Sequence, residues 1–104
     1  MVYLLMRIIA RSTLLKFWSN SDYSDSEQAL RAWFEETKNS VWKSPNEIKK
    51  KYRSASVLKN NRVVFNICGN KYRLIVSIKY DFQIVYIRFI GTHKQYDQIN
   101  AEEI

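Results

Sequence analysis

Between positions 62 and 97 the chain alternates apolar and polar residues in three successive runs, the pattern of half-buried β-strands. Gly69-Asn70 between the first two runs is a two-residue hairpin signal, because glycine supplies the positive φ that such turns need. Closure there pairs Cys68 with Lys71, Asn66 with Arg73, Val64 with Ile75 and Arg62 with Ser77. A second tight turn at Asp81-Phe82 pairs Tyr80 with Gln83, Ser77 with Tyr86, Ile75 with Arg88 and Lys71 with Thr92. Directly opposed residues share a face. One face then collects Val63, Phe65, Ile67, Tyr72, Leu74, Val76, Ile78, Val85, Ile87 and Phe89. The other collects Arg62, Val64, Asn66, Lys71, Arg73, Ile75, Ser77, Lys79, Tyr86, Arg88 and Ile90. A slip of one residue would bury charges, so the pattern specifies its own register.

The first half reads differently. Residues 7–11 (RIIAR) suit a short strand, and Ser12 is positioned to cap a short helix carrying Leu14, Leu15, Phe17 and Trp18. A polar loop over 20–25 follows, and Ser24-Asp25-Ser26-Glu27 has the spacing of a capping box. Beyond it Leu30, Trp33, Phe34, Thr37 and Val41 form a helical stripe that predicts a cover for the apolar sheet face. Ser44-Pro45-Asn46-Glu47 is a second helix start, opening a helix over 47–52 that carries Lys49, Lys50 and Lys51. Thr92 or His93 starts a final short helix. The predicted order is β-α-α-α-β-β-β. This is an α+β fold, a small and mostly antiparallel sheet of one N-terminal and three C-terminal strands, with two or three helices packed on one face. The partner of the first strand is left open.

Composition narrows the possible functions. At 104 residues the chain is expected to form one domain able to bury a core without disulfides or metal. Its single cysteine, Cys68, excludes an internal disulfide framework and suits a reducing, cytoplasmic setting. One cysteine and one histidine do not make a zinc site. No metal and no cofactor are expected. The opening MVYLLM breaks at Arg7, short of a signal or membrane-spanning segment, so no membrane partner is expected. Met6 is an alternative start, which would make residues 1–5 an extension. The net charge of +7, from 17 Lys and Arg against 10 Asp and Glu, favours a nucleic acid or an acidic protein as partner, although a basic protein can exist without one.

The run from 65 to 97, FNICGNKYRLIVSIKYDFQIVYIRFIGTHKQYD, resembles the HigB-like toxins of the RelE superfamily. The resemblance is carried by four blocks in order: Phe65-Asn66-Ile67, residues 69–74 (GNKYRL), Val85-Tyr86-Ile87-Arg88, and Thr92-His93-Lys94 with Tyr96-Asp97. It covers about a third of the chain closely. It implies a RelE-like fold and the toxin of a type II toxin–antitoxin pair, an endoribonuclease that needs no metal and cleaves mRNA on the ribosome, with contacts to rRNA. It further implies a HigA-like helix-turn-helix antitoxin as partner, with operator DNA reached only through that antitoxin.

Metal-free RNA cleavage uses the 2′-hydroxyl as nucleophile on the adjacent phosphate. It needs a proton acceptor, a proton donor for the leaving 5′-oxygen, and cations for the phosphorane. Arg73 and Arg88 offer guanidinium forks to phosphate, and His93 offers an acid or base near neutral pH. Lys71 and Lys94 add charge, Tyr86 and Tyr96 can stack on a base or donate a proton, and Asn66 can fix a phosphate or base edge. Lys49, Lys50 and Lys51 suit a general electrostatic contact to RNA. The same residues admit blander readings: a solvated sheet face, a histidine at a helix start, a non-catalytic RNA-binding module, or an inactive toxin relative retained in a repressor complex.

Overall fold

A computed structural model describes residues 5–104; the first four, and with them most of the possible N-terminal extension, lie outside the described residues. The chain runs through β1 (Arg7–Ile9), α1 (Arg11–Ser19), a 3-10 turn (Ser21–Ser26), α2 (Glu27–Lys38), α3 (Pro45–Lys51), β2 (Ser56–Val57), β3 (Arg62–Ile67), β4 (Tyr72–Lys79), β5 (Ile84–Thr92) and α4 (His93–Tyr96). The fold is α+β, as predicted, with a mixed five-stranded sheet instead of four strands.

Local signals are honoured where nothing competes with them. α3 begins as its motif predicts, with Pro45 in the first turn and the Glu47 carboxylate accepting the Ser44 N–H at 3.2 Å. α4 begins at Thr92, whose Oγ1 accepts the Gln95 N–H at 3.1 Å while Gln95 Oε1 accepts the Thr92 N–H at 2.9 Å. Two expected caps are absent. Ser12 does not cap α1, because the chain turns from β1 straight into the helix through Ala10 at φ 73°. Nor does a capping box form at Ser24. The region read as a loop is helical, so Ser24 and Ser26 spend their hydroxyls on Ser21 O (3.2 Å) and Tyr23 O (2.6 Å) one turn back.

The sheet order is β1-β5-β4-β3-β2, with β1 parallel to β5 and the other neighbours antiparallel. The β3–β4 ladder follows the predicted register: Asn66 faces Arg73, Val64 faces Ile75 and Arg62 faces Ser77. At its turn Lys71 N donates to Cys68 O at 3.2 Å, with Gly69 at φ 66° and Cys68 itself at φ 54°. The β4–β5 ladder departs from the prediction partway along. Ser77 faces Tyr86 as expected, but a bulge between Ile75 and Val76 leaves Arg88 unpaired, so Ile75 faces Phe89 and Tyr72 faces Thr92. The extra residue reverses the faces beyond it. Ile90 joins the main core and Phe89 the opposite side of the sheet, the reverse of simple alternation.

The main core lies between the sheet and helices α1 to α3 and contains Leu14, Leu30, Trp33, Trp42, Ile48, Phe65, Tyr72, Leu74, Val76 and Val85. All three tryptophans are buried in it. One polar residue, Gln83, ties the β4–β5 turn to the segment after α2. Its Nε2 donates to Trp42 O at 2.6 Å and Tyr80 O at 2.7 Å, and its Oε1 accepts the Trp42 N–H at 3.1 Å. Truncation would strand Trp42's backbone groups away from water, each at a cost of about 1–3 kcal/mol. Gln83→Ala is therefore expected to destabilise by about 2–4 kcal/mol in urea unfolding. An unchanged midpoint would show that Gln83 is not a clamp.

Candidate active site on the outer face of the sheet

Arg62, Val64 and Asn66 of β3, Arg73, Ile75 and Ser77 of β4, and Tyr86, Phe89 and Gly91 of β5 look away from α1 to α3, with bulged Arg88 exposed beside them. This face is not the open cationic platform that alternation alone predicts. Val64 and Ile75 are buried under the C-terminal segment, in a second cluster with Ala101, Leu58, Phe89, Tyr96, Ile99 and Ile104. Arg62 fastens that segment, donating to Ile104 O at 2.7 and 3.1 Å and to Ser77 Oγ at 3.1 Å. The cationic residues are thereby displaced from the centre of the face.

At one end, Arg73 lies between Asn66 and Gly91 in the ladder, with its guanidinium 6.0 Å from the Tyr96 ring centroid. One guanidinium nitrogen donates to Asn70 O at 3.1 Å. Tyr96 belongs to α4, which also carries His93 and Lys94, both exposed. The His93 ring is 6.5 Å from that of Tyr96, and its Nδ1 lies 3.2 Å from Asp97 Oδ2. A proton on Nδ1 donated to Asp97 leaves Nε2 free to accept or give one. Asp97 is the His93 partner that sequence reading passed over; its signal was the i, i+4 spacing from His93 on a helix. Gly91 also belongs to the site's support. A Cβ there would lie 2.5 Å from Phe89 Cζ and 2.7 Å from Gln95 Oε1, so glycine lets the Phe89 ring and the α4 cap close over the strand.

The remaining predicted residues are spread more widely. Arg88 is exposed at the bulge, 5.4 Å above the Tyr86 ring, and three positions from Gly91 along β5, roughly 10 Å of strand. Asn66 faces Arg73 but donates its amide to Ser54 O at 3.2 Å. Lys71 is ion-paired with Asp25, whose other carboxylate oxygen accepts the Tyr72 hydroxyl at 2.5 Å. Hydrogen bonds from Lys71, first, and Tyr72 hold the Asp25 carboxyl below its ordinary range, and the same bond to Asp25 raises Lys71. Burial, reinforced by Asp25, pushes the Tyr72 hydroxyl up. Lys71 is therefore committed to the 3-10 turn. Lys49 is turned back on its own chain, donating to Arg53 O at 2.8 Å and Ala55 O at 2.7 Å. Lys51 lies 3.9 Å from Glu36, and Lys50 is exposed with no ion pair among the described residues. The arrangement thus concentrates Arg73, Tyr96, His93 and Asp97 at one end of the face, with Lys94 on the same short helix and Arg88 farther along the strand.

Among the described residues no three His, Cys, Asp or Glu side chains converge to ligate a metal ion, and no helix is long and apolar enough to cross a membrane. A cavity of about 160 Å³ between α1 and α2 is lined by Arg11, Leu14, Trp18, Arg31, Phe34 and Glu35, and shares no residue with this group.

Residues 26–99 match a family model described as HigB_toxin, RelE-like toxic component of a toxin-antitoxin system. The chain is 34% identical over 62 residues to the mRNA interferase toxin HigB of Escherichia coli strain K12, a match covering 58% of this chain and 60% of the relative. The mRNA interferases HigB of Escherichia coli O157:H7 and of Shigella flexneri match at the same identity and coverage. The chain thus aligns with 60% of the length of these curated relatives.

Proposed function

Since this chain belongs to the HigB family of RelE-like toxic components of toxin–antitoxin systems, we propose that it is a toxin domain that cleaves mRNA without a metal ion. Its substrate is mRNA positioned on the cytoplasmic ribosome, and its partner is a HigA-like antitoxin that neutralises it. The Arg73 and Arg88 guanidinium groups hold the phosphate and the charge that builds on it as the 2′-oxygen attacks. His93, oriented by Asp97, exchanges the proton through Nε2, and Tyr96 supports Arg73 and offers a ring or hydroxyl to the substrate. Lys94 adds positive charge beside them.

The observation that carries this reading is the convergence of Arg73 with Tyr96 and the His93–Asp97 pair, three of them on or beside a helix of one turn whose start is closed by reciprocal Thr92–Gln95 hydrogen bonds. Induced expression in a bacterium, with growth followed and mRNA ends mapped, tests it. Wild type is expected to arrest growth and create new internal mRNA ends. His93→Ala and Arg88→Ala, folded, are expected to do neither, because losing a positioned proton-transfer group costs about 10²–10⁴-fold and losing a cation from the developing phosphorane about 10²–10³-fold. Arrest and cleavage by folded His93→Ala at the wild-type level would remove His93 from the chemistry. Normal growth with folded wild type would leave a binding module or an inactive relative.

A further inference from the structure

The β1–β5 ladder ends at Tyr86, and beyond it a helix, not a strand, runs beside β5. Between them opens a cleft of about 270 Å³, lined by Thr13, Lys16, Phe17, Asn20, Tyr23 and Ile90. Its wall is an aromatic pair, Phe17 and Tyr23, stacked at 4.5 Å with ring planes 2° apart. The pair is held rigidly. Buried Tyr72 meets both rings edge-on, at 5.2 and 6.0 Å, and is itself anchored through its hydroxyl to Asp25. Phe17 and Tyr23 nevertheless remain partly exposed. No acidic residue lines the cleft, and Lys16 is exposed with no carboxylate partner among the described residues. The far end abuts the site already described: Tyr23 Oη is 3.5 Å from Nε2 of Gln95, which sits between Lys94 and Tyr96 on α4.

A preorganised aromatic face, a free cation and polar side chains on the rim are what an unstacked nucleotide recognises. The cleft is shallow and open to solvent, a surface against which one planar ring can lie and not an enclosing pocket. We propose that this cleft binds one nucleotide of the single-stranded RNA that flanks the cleaved bond, its base against the Phe17–Tyr23 pair and its phosphate at Lys16. The inference rests on the nuclease reading and adds to it a second contact on the helical side of β5. The strand would pass from Arg73 over α4 to α1.

The test is fluorescence anisotropy with a short, labelled, single-stranded RNA carrying 2′-O-methyl groups throughout, which cannot be cleaved because the nucleophile is blocked. Wild type, Lys16→Glu, Tyr23→Leu and Arg73→Ala are compared at several salt concentrations, with a thermal melt for each. Tyr23→Leu is expected to weaken binding about 5- to 100-fold, the span that loss of a base–aromatic stack gives. Lys16→Glu, at an exposed site that cannot disturb the core, is expected to weaken it and to lower the salt slope by about 1. Binding that falls in Arg73→Ala but stays at the wild-type level in both cleft variants overturns the cleft and leaves the nuclease reading standing. Wild-type protein that binds neither this RNA nor mRNA-programmed ribosomes overturns both.

Discussion

Replacing Arg73 by alanine is expected to abolish growth arrest and reduce mRNA cleavage about 10²–10³-fold, the cost of removing one preorganised donor from a developing oxyanion. Arg73 sits on β4 in the middle of the sheet, where the ladders on both sides fix its backbone. Arg73 is half-buried, its guanidinium lies 6.0 Å from the Tyr96 ring centroid, and one N–H is spent on Asn70 O. A phosphate meeting the remaining donors would find them already aimed, with little reorganisation left to make. The fold should barely notice the change, since a hydrogen bond from an accessible side chain contributes only about 0.5–1.5 kcal/mol. Arg73→Lys keeps the charge but loses the planar fork, and intermediate activity is expected. Cleavage assays on purified protein, paired with urea unfolding, separate the two effects. Near-wild-type cleavage by folded Arg73→Ala protein would move the phosphate site elsewhere.

Phe65→Ala is expected to be the most damaging substitution to stability, at about 3–5 kcal/mol. Phe65 is 1% exposed and is the hub of the aromatic core. Its ring lies 5.5 Å from Trp33, 6.2 Å from Trp42 and 5.1 Å from Tyr52. Tyr52 is in turn fixed by its hydroxyl donating to Glu36, and burial together with that carboxylate pushes the phenol up. Removing the ring leaves a cavity that several large, mutually braced neighbours cannot collapse into. Domains of this size are stable by only about 5–15 kcal/mol, so much of the margin would go. Phe89→Ala supplies the contrast. Simple alternation would place it on the same buried face as Phe65 with a similar penalty. The bulge puts it instead in the small, part-exposed cluster under the C-terminal segment, where a loss of about 1–2 kcal/mol is expected. Equal penalties for the two would argue against the bulge.

Much of this fold was legible in the sequence because its strongest signals are local. Gly69-Asn70 closes one hairpin, and the predicted register of β3 against β4 follows from that closure. The starts of α3 and α4 were readable because a cap needs only residues three positions apart. Leu30, Trp33 and Thr37 announced the buried stripe of α2 by their spacing alone. The outward placement of Arg73 came from the same two-residue period, and His93 was correctly set at the start of a short helix.

Tertiary structure decided the rest, because each remaining feature joins parts of the chain that no local pattern relates. The parallel seat of β1 on β5 depends on which edge of the finished sheet is open, and RIIAR has no residue that names its partner. The bulge at Arg88 is invisible to alternation, since Phe89 and Ile90 are both apolar and either can face the core. Residue type could not say that Lys71 would be held by Asp25 from 46 positions earlier, or that Lys49 would fold back onto Arg53 and Ala55. Nor could it show the C-terminal segment covering Val64 and Ile75, which gathers the cationic chemistry at the end of the face where α4 begins. The sequence by itself determined most of the strands and helices, through turn and periodicity, but neither the short β2 nor the helical turn over Ser21–Ser26. Only the packed structure determined which charges remain free to act, because a charge's availability depends on partners brought near by folding and not by sequence.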